Sequence, residues 1–334
     1  MLQLHNHTAL ASKILTLPDP DGVEALHVLI KATFTLTPDP RLALEQRPVR
    51  LVEERVGDGV QSWLRAPSEA HPARPACELL IDGDVVAPGG ALVTVLDAGV
   101  AVGPFERHVR ALGDRQYTGD PAAFCTAPTA FTRMPLTPQR AFGGSFIASG
   151  EVEVRNPSGV GFVPAGLRDL RVLRGLPLPN LEDPHDLITQ PGDRPAPRWF
   201  GAVSAAWSPR VERAGTYDAA WDRTRAPFLP TDFDPAFNMV TPDAMWLPAR
   251  LVGGERIALR HLAEQPWIES RVPALGLRVR AEYRGQRVDL RAQSELLHLF
   301  PDAGVATLLL RATLRCGHRV LDVAAVEITS EGAS

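Results

Sequence analysis

The sequence predicts a mainly β fold with little helix. Sandwich-like sheet modules from the N- and C-terminal thirds are expected to pack together, with a long, ordered, Pro/Gly/Trp-rich loop insert between them. Three observations favour this fold. Apolar and polar residues alternate in the first and last thirds, as in half-buried strands. Gly, Pro and Asp separate these runs, and the middle third has little apolar periodicity.

The clearest strand of the first third spans residues 26–36. Its apolar residues are expected on one face, and four polar residues, His27, Lys31, Thr33 and Thr35, on the other. Pro38 and Pro40 then end the strand. Further strands are expected at residues 48–52, 77–86, 92–102 and 108–112.

The last third returns to the strand pattern. Residues 250–252 and 256–259 flank Gly253-Gly254, which predicts a hairpin, and a second hairpin is predicted across Arg284-Gly285-Gln286. The second hairpin joins residues 277–283 to residues 287–291. The remaining expected strands are residues 296–300, 306–314 and 320–328.

Two seven-residue segments resemble one another, residues 28–34 and residues 308–314. The resemblance is explained by one shared solution for a strand type, or by a duplicated sheet module with the middle third inserted between the copies. Seven residues do not decide between these explanations.

The middle third is expected to form ordered loops and short strands, because its tryptophans supply a large area for burial. Only residues 167–176 have a helical spacing. We therefore divide the chain into an N-terminal β module (1–119), a motif-dense insert (120–248) and a C-terminal β module (249–330). The three segments alternatively form one compact unit.

Composition excludes several classes of function. The net charge is −4 and no basic block is present, so nucleic acid is not an expected partner. No basic and apolar leader begins the sequence and no apolar run approaches the roughly 20 residues of a membrane span. We expect a cytoplasmic protein without membrane insertion. The arginine excess over lysine reflects either a GC-rich genome or the use of guanidinium groups to tie loops together.

The chain lacks the common catalytic and cofactor motifs, including a nucleophile elbow, a phosphate-binding loop and paired metal ligands. Its three cysteines are scattered. The best metal candidate is Asp232-Phe233-Asp234 with Asn238, but it lacks the glycine and distal glutamate of a calcium loop. Turn and capping roles explain these carboxylates better. No catalytic residue, cofactor or metal is therefore expected.

Several short motifs in the middle of the chain are more specific than ordinary loop sequence. In order they are Met134-Pro135-Leu136, Arg140-Ala141-Phe142-Gly143-Gly144, Asn156-Pro157-Ser158-Gly159-Val160-Gly161-Phe162, Leu178-Pro179-Asn180-Leu181-Glu182-Asp183-Pro184, Trp207-Ser208-Pro209-Arg210, Ala214-Gly215-Thr216-Tyr217-Asp218 and Leu229-Pro230-Thr231-Asp232-Phe233-Asp234. Together with Lys31-Ala32-Thr33-Phe34-Thr35-Leu36, they resemble the bacterial domain-of-unknown-function family 2169. The resemblance runs from about residue 3 to about residue 315.

The resemblance implies a function. Members of that family are typically encoded in type VI secretion clusters and are regarded as adaptors or chaperones that help load a toxin effector onto the VgrG spike or its PAAR tip. The family has no associated catalytic residues. The sequence departs from the family pattern at Cys77 and Glu78, where an aspartate is usual, and at Arg198-Trp199-Phe200-Gly201. These departures leave the identity of the partner open.

The residue types within the motifs suggest a partner-binding surface, because Trp, Tyr and Arg dominate binding hot spots. The candidate partner-binding residues are Arg140, Trp207, Arg210, Tyr217, Trp221, Asp232 and Asp234. Alternatively the same residues hold together a loop-rich core, with the arginines paired to Asp218, Asp232 or Glu182. The partner surface would then lie elsewhere, for example on a sheet edge.

The proposed function, a non-catalytic adaptor for an effector, has two alternatives. The protein is a structural component of the secretion apparatus, or it is an enzyme of the same locus, such as a hydrolase. An enzyme requires His108 or His261 near a carboxylate and a nucleophile in one pocket.

Overall fold

The computed structural model describes residues 2–19, 22–59 and 62–330. The fold is mainly β with little helix, as predicted. The strands are β1 (Gln3–Asn6), β2 (Ala11–Pro18), β3 (Glu24–Thr35), β4 (Glu54–Val56), β5 (Trp63–Ala66), β6 (Glu78–Ile81), β7 (Asp84–Val86), β8 (Val95–Val102), β9 (Phe105–Leu112), β10 (Arg133–Pro135), β11 (Phe142–Gly143), β12 (Ser145–Phe146), β13 (Glu151–Val152), β14 (Val160–Gly161), β15 (Leu181–Glu182), β16 (Arg256–Arg260), β17 (Trp267–Arg271), β18 (Leu277–Tyr283), β19 (Gln286–Leu290), β20 (Gln293–Phe300), β21 (Val305–Arg315) and β22 (Val323–Ser330).

Helix is confined to short pieces. Within the described ranges the one α-helix is α1 (Ala219–Thr224). The 3-10 helices described are Pro88–Gly90, Pro138–Arg140, Leu170–Leu173, Val211–Ala214, Pro235–Asn238, Asp243–Met245, Pro301–Ala303 and Val320–Asp322. No helix in the described part of the chain combines the length and the apolar character needed to cross a bilayer.

The central sheet has five strands in the order β2-β3-β21-β20-β6. β3 and β21 pair antiparallel, with Ile30 opposite Leu310, and β6 lies parallel to β20. The two similar segments identified in the sequence are therefore neighbours in one sheet. This pairing is compatible with a shared strand type and with duplication.

β3 is buried on both faces, which corrects the expectation of a half-buried strand. The chain segment at residues 43–50 covers its polar face. Gln46 Oε1 accepts a hydrogen bond from the Thr33 amide, and Thr33 Oγ1 accepts one from the Arg47 amide. Lys31 Nζ donates to the Pro48 carbonyl. These hydrogen bonds give the buried polar groups of β3 the partners that such groups need.

Two further sheets flank the central one. The second sheet is antiparallel, in the order β15-β9-β8-β16-β17, and the third has the order β1-β22-β18-β19 with β1 parallel to β22. Each of the three sheets combines strands from the first and last thirds of the chain. The two thirds therefore meet within shared sheets, and the boundaries proposed at residues 119 and 248 stay predictions.

Two apolar cores lie between the sheets. The larger core joins Phe34 and Leu308 of the central sheet to Val100 and Ile257 of the second sheet, and it includes Trp207 from the middle segment. A smaller core packs the other end of β3 against β18 and β22. The middle segment is thus attached to the sheets by its buried aromatic residues.

Three local predictions were wrong. Residues 48–52 form no strand. The backbone of Arg50 binds Glu69 instead: the Arg50 carbonyl accepts a hydrogen bond from the Glu69 amide, and the Arg50 amide donates one to the Glu69 carboxylate. Residues 250–252 form no hairpin arm, because Glu255 accepts hydrogen bonds from the Val252 and Gly253 amides and β16 pairs with β17. The predicted helix at residues 167–176 is reduced to one 3-10 turn.

Candidate partner-binding site

The seven candidate residues do not form one surface. The structure buries Trp207, leaves Arg210 partly exposed, and gathers Tyr217, Trp221 and Asp232 in a lobe at the exterior of the middle segment. Asp234 lies at the edge of this lobe. Arg140 lies outside the lobe, at the end of the 3-10 helix Pro138–Arg140. We call residues 215–234 the surface lobe.

Trp207 is a core residue. Its side chain is 4% exposed, and its ring packs edge-to-face against Trp199 with centroids 6.3 Å apart. Such aromatic pairs stabilise by about 0.5–1.5 kcal/mol beyond the area that they bury. A partner cannot contact this ring without opening the loop, so Trp207 supports the surface and does not form it.

Arg210 fixes the path of the same loop. Its guanidinium donates to the carbonyl oxygens of Val203, at 2.7 Å, and Phe237, at 2.8 Å. Burial lowers the pKa of Arg210 to about 10, with the carboxylate of Glu78 opposing that shift. The group therefore stays charged at neutral pH, and it links the segment before the surface lobe to the segment after it.

A buried ion pair holds the end of the middle segment on the central sheet. Arg74 Nε lies 2.9 Å from Glu78 Oε1, and both side chains are fully buried. Glu78 Oε2 accepts hydrogen bonds from the amides of Val240 and Thr241, both at 2.8 Å, and from the Thr241 hydroxyl at 2.9 Å. Burial raises the pKa of Glu78, while Arg74 and Thr241 oppose the shift.

A second ion pair continues this network. Arg311 Nε lies 2.9 Å from Glu295, whose Oε1 also accepts a hydrogen bond from the Arg74 amide at 3.0 Å. We call Arg74, Glu78, Glu295 and Arg311 the buried charged cluster. Sequence reasoning missed it, although a glutamate between Cys77 and Leu79 in an apolar strand is a signal that a buried partner exists.

The surface lobe is built on the short helix α1. Asp218 caps its N-terminus by accepting hydrogen bonds from the amides of Ala220, at 2.9 Å, and Trp221, at 2.8 Å. The Trp221 indole donates to the Phe228 carbonyl at 2.8 Å. The ring of Tyr217 lies edge-to-face on Trp221, with centroids 4.8 Å apart, and its side chain is 52% exposed.

Asp232 closes the base of the surface lobe. It accepts hydrogen bonds from the Thr216 amide, at 3.0 Å, and the Thr216 hydroxyl, at 2.7 Å. These hydrogen bonds lower the pKa of the Asp232 carboxyl. Gly215 makes the turn at φ 80°, where an added Cβ would lie 2.9 Å from Pro230 Cβ. A cavity of about 390 Å³ beside this turn is lined by Trp221, Asp232 and their neighbours.

The two remaining candidates have local roles. Asp234 caps the 3-10 helix Pro235–Asn238 by accepting a hydrogen bond from the Ala236 amide at 2.8 Å. Arg140 donates to Asp114 Oδ1 at 3.0 Å and to Asn180 Oδ1 at 2.9 Å. The pairings expected for a loop core differ from the observed ones, since Glu182 pairs with Arg115 while Asp218 and Asp232 bind backbone amides.

The glycine-rich motifs pack on one another. β11 lies parallel to β14, and Asn156 Nδ2 donates to the carbonyls of Pro138, at 2.7 Å, and Phe142, at 3.0 Å. A Cβ added to Gly143 would lie 2.1 Å from the Asn156 carbonyl oxygen. The close approach of these backbones explains why both motifs need glycine.

Two histidines bear on the enzyme alternative. His108 Nε2 lies 3.0 Å from Glu106 Oε1 with both side chains exposed, and His261 Nδ1 lies 2.8 Å from the Asp97 carbonyl oxygen. Across residues 2–19, 22–59 and 62–330, no group of three or more His, Cys, Asp or Glu side chains is placed to hold a metal ion.

A family model described as "Uncharacterized protein conserved in bacteria (DUF2169)" matches residues 21–311, which is most of the chain. No curated protein and no solved structure matches it.

Proposed function

We propose, from the premise that this chain belongs to the DUF2169 family of proteins conserved in bacteria, that it is a non-catalytic adaptor of a type VI secretion system. It binds a toxin effector in the cytoplasm and helps load it onto the VgrG spike or the PAAR tip. The observation that carries the proposal is the half-exposed Tyr217, packed edge-to-face on Trp221 in the surface lobe.

The surface lobe has the chemistry of a protein-binding hot spot. Tyrosine and tryptophan are enriched where alanine substitution weakens protein complexes most. Phe228 adds apolar area, with its side chain 42% exposed, and the lobe also carries the exposed charged residues Asp218, Asp222 and Arg223. An apolar centre with a polar rim is the usual arrangement of a transient interface.

The lobe is also ordered before a partner arrives. Asp218 and Asp232 fix its backbone through four hydrogen bonds to amide and hydroxyl groups of the lobe. Binding therefore requires little additional ordering of the loop, which lowers the entropic cost of association. An adaptor that binds only the loading-competent effector stabilises that form by mass action.

The test is co-expression with the effector, spike and tip proteins encoded beside this gene, followed by size-exclusion chromatography. We expect co-elution with an effector. Tyr217→Ala and Trp221→Ala should each weaken the complex by about thirtyfold or more, the loss typical of a hot spot. Trp267→Ala is the matched control, because Trp267 is 46% exposed on strand β17, outside the lobe, and should leave the affinity unchanged.

Three outcomes would count against the proposal. Separation from every neighbouring protein would exclude a stable adaptor, and equal losses for Trp221→Ala and Trp267→Ala would place the interface outside the surface lobe. Stoichiometric secretion of the protein together with the spike would instead favour a structural component. Circular dichroism of each variant shows whether a loss of binding reflects a loss of fold.

A further inference from the structure

A cavity of about 360 Å³ lies beside the central sheet, away from the surface lobe. It is bounded by Lys31 of β3, by His298 and Phe300 of β20, and by the covering segment that carries Arg47 and Arg50. Its volume falls within the range of small-molecule sites. Neither the adaptor proposal nor the family membership assigns a role to it.

The cavity has an excess of positive charge. Lys31, Arg47 and Arg50 face one carboxylate, Glu69. Both oxygens of that carboxylate already accept hydrogen bonds, Oε1 from Lys31 Nζ at 2.6 Å and Oε2 from the Arg50 amide at 2.7 Å. Glu69 therefore neutralises the buried ammonium. Arg50 Nη1 lies 3.7 Å from Glu54 Oε2, so Arg47 carries the guanidinium that is left to act on a ligand.

Arg47 supplies donors without a partner. Its guanidinium lies 3.8 Å above the Phe300 ring, and within the described ranges it makes no hydrogen bond or ion pair. This contact holds the guanidinium against the cavity wall that Phe300 forms. A planar fork of N–H donors matches the geometry of carboxylate and phosphate oxygens.

His298 provides a second polar group. Its side chain is 7% exposed, its ring stacks on Phe300 with centroids 4.0 Å apart, and Nε2 is buried without a hydrogen-bond partner in the described chain. Burial, followed by the charges of Lys31, Arg47 and Arg50, lowers the pKa of His298 well below its usual value. The ring is therefore neutral at pH 7, and a buried polar nitrogen of this kind needs a partner.

A neighbouring cavity shows that the excess of positive charge is confined to the first cavity. It has a volume of about 460 Å³, shares His298 and Phe300 as a wall, and is lined by Asp82, Asp84 and Asp302 together with Arg65. The same two rings thus separate a basic cavity from an acidic one. An anion is attracted to the first and repelled by the second.

We infer that the cavity bounded by Lys31, Arg47, Arg50, His298 and Phe300 is a binding site for a small oxyanion, a carboxylate or a phosphate group, held by the Arg47 fork against the Phe300 ring. The inference does not depend on the adaptor function. Free phosphate and a carboxylate compound are the two sources of such a group, and they are separated by their affinities.

The experiment titrates the intact protein with inorganic phosphate and, separately, with acetate. Nitrogen-15 chemical shifts of the His298 side chain report binding, and sodium chloride at matched ionic strength is the reference. We expect a saturable shift with at least one anion. Arg47→Gln should raise the dissociation constant about tenfold or more, since it removes a charge-assisted bidentate contact. Arg256→Gln is the matched control, because Arg256 lies on β16 outside both cavities and pairs with the exposed Glu269, and it should leave the dissociation constant within about twofold.

A second variant covers the case in which Arg47→Gln disturbs packing on Phe300. Arg50→Gln, whose side chain is 43% exposed, should weaken binding in the same direction without affecting the fold. A saturable response that both cavity variants weaken supports the inference. No response beyond that of sodium chloride, or equal effects of Arg47→Gln and Arg256→Gln, overturns it.

Discussion

The buried charged cluster and the surface lobe use carboxylates in opposite ways. In the cluster, Glu78 and Glu295 are inaccessible, and besides an arginine each binds a backbone amide far away in the chain, Glu78 at Val240 and Thr241 and Glu295 at Arg74. In the lobe, Asp218 and Asp232 are exposed and bind backbone amides no more than 16 residues away. The cluster therefore determines which segments meet, whereas the lobe carboxylates determine local backbone shape and leave the aromatic faces accessible.

The tryptophans show the same contrast. Trp207 lies in the core against Trp199, while Trp221 is half-buried and carries Tyr217 on its outer side. Both occur in motifs rich in Pro, Gly and charged residues. One type of motif thus anchors the middle segment to the sheets through Trp207 and also forms the exposed surface around Trp221. Substitutions in the two regions should separate stability from binding.

The largest effect is expected from Glu78→Ala, which leaves Arg74 charged and unpaired in the interior. The unfolding free energy should fall by about 3–5 kcal/mol, as measured by urea denaturation. The control is Glu269→Ala, which removes an exposed partner of Arg256 and should leave the unfolding free energy close to that of the unchanged protein. Equal losses of unfolding free energy in the two variants would show that the buried ion pair contributes no more to stability than the exposed one.

The second-largest expected effect is a loss of stability in acid that is caused by the buried His27. Burial, with a further contribution from Arg311, lowers the pKa of His27 from 6.5 to about 4. Above pH 6.5 the folded and unfolded states are both neutral at His27. As the pH falls from 6.5 to 4 only the unfolded state gains the proton, so stability falls, by about 1–3 kcal/mol after allowance for solvent screening.

The lobe should not share this dependence, because the pKa of Asp232 lies below its ordinary value of 3.8 and its contribution is lost only in stronger acid. The lowered pKa values of His71 and His298 also reduce the stability of the folded state as the pH falls, as that of His27 does. The raised pKa of Glu78 has the opposite effect on stability. The measurement is urea denaturation between pH 7 and 4. His27→Gln should flatten the profile, and an unchanged profile would contradict the assignment.

The smallest effect is expected from Asp218→Ala, which removes the N-cap of α1. Loss of a cap costs about 1 kcal/mol, and here the cost should be confined to the lobe. Hydrogen exchange at the Ala220 and Trp221 amides should accelerate, while urea denaturation of the whole protein changes little. A global loss comparable with that of Glu78→Ala would mean that the lobe is part of the core.

The strands were predictable where one physical signal dominates. The alternation along β3 and the turn at Arg284-Gly285 identify β3 and the β18–β19 hairpin directly. The burial of both faces of β3 was not predictable, because it depends on residues 43–50 folding over Lys31 and Thr33. Such coverage depends on tertiary contacts that periodicity does not encode.

The candidate site was predicted only in part. Residue type identified Tyr217 and Trp221, but the same reasoning selected Trp207 and Arg210, which the fold buries or uses for backbone contacts. Arginine and tryptophan serve cores and interfaces equally well, so sequence alone does not sort them. Asp218 was considered only as a possible partner for arginine, although its position before Ala219–Thr224 is a capping signal.

The pairing of β3 with β21 has a consequence for the timing of synthesis. β3 ends at Thr35 and β21 begins at Val305, so at typical elongation rates of about 5–20 residues per second the ribosome needs about 14–54 s between them. During that interval β3, which is buried on both faces in the folded protein, has only one of its two sheet neighbours, β2. The nascent chain must therefore be shielded from aggregation before its own central sheet can close.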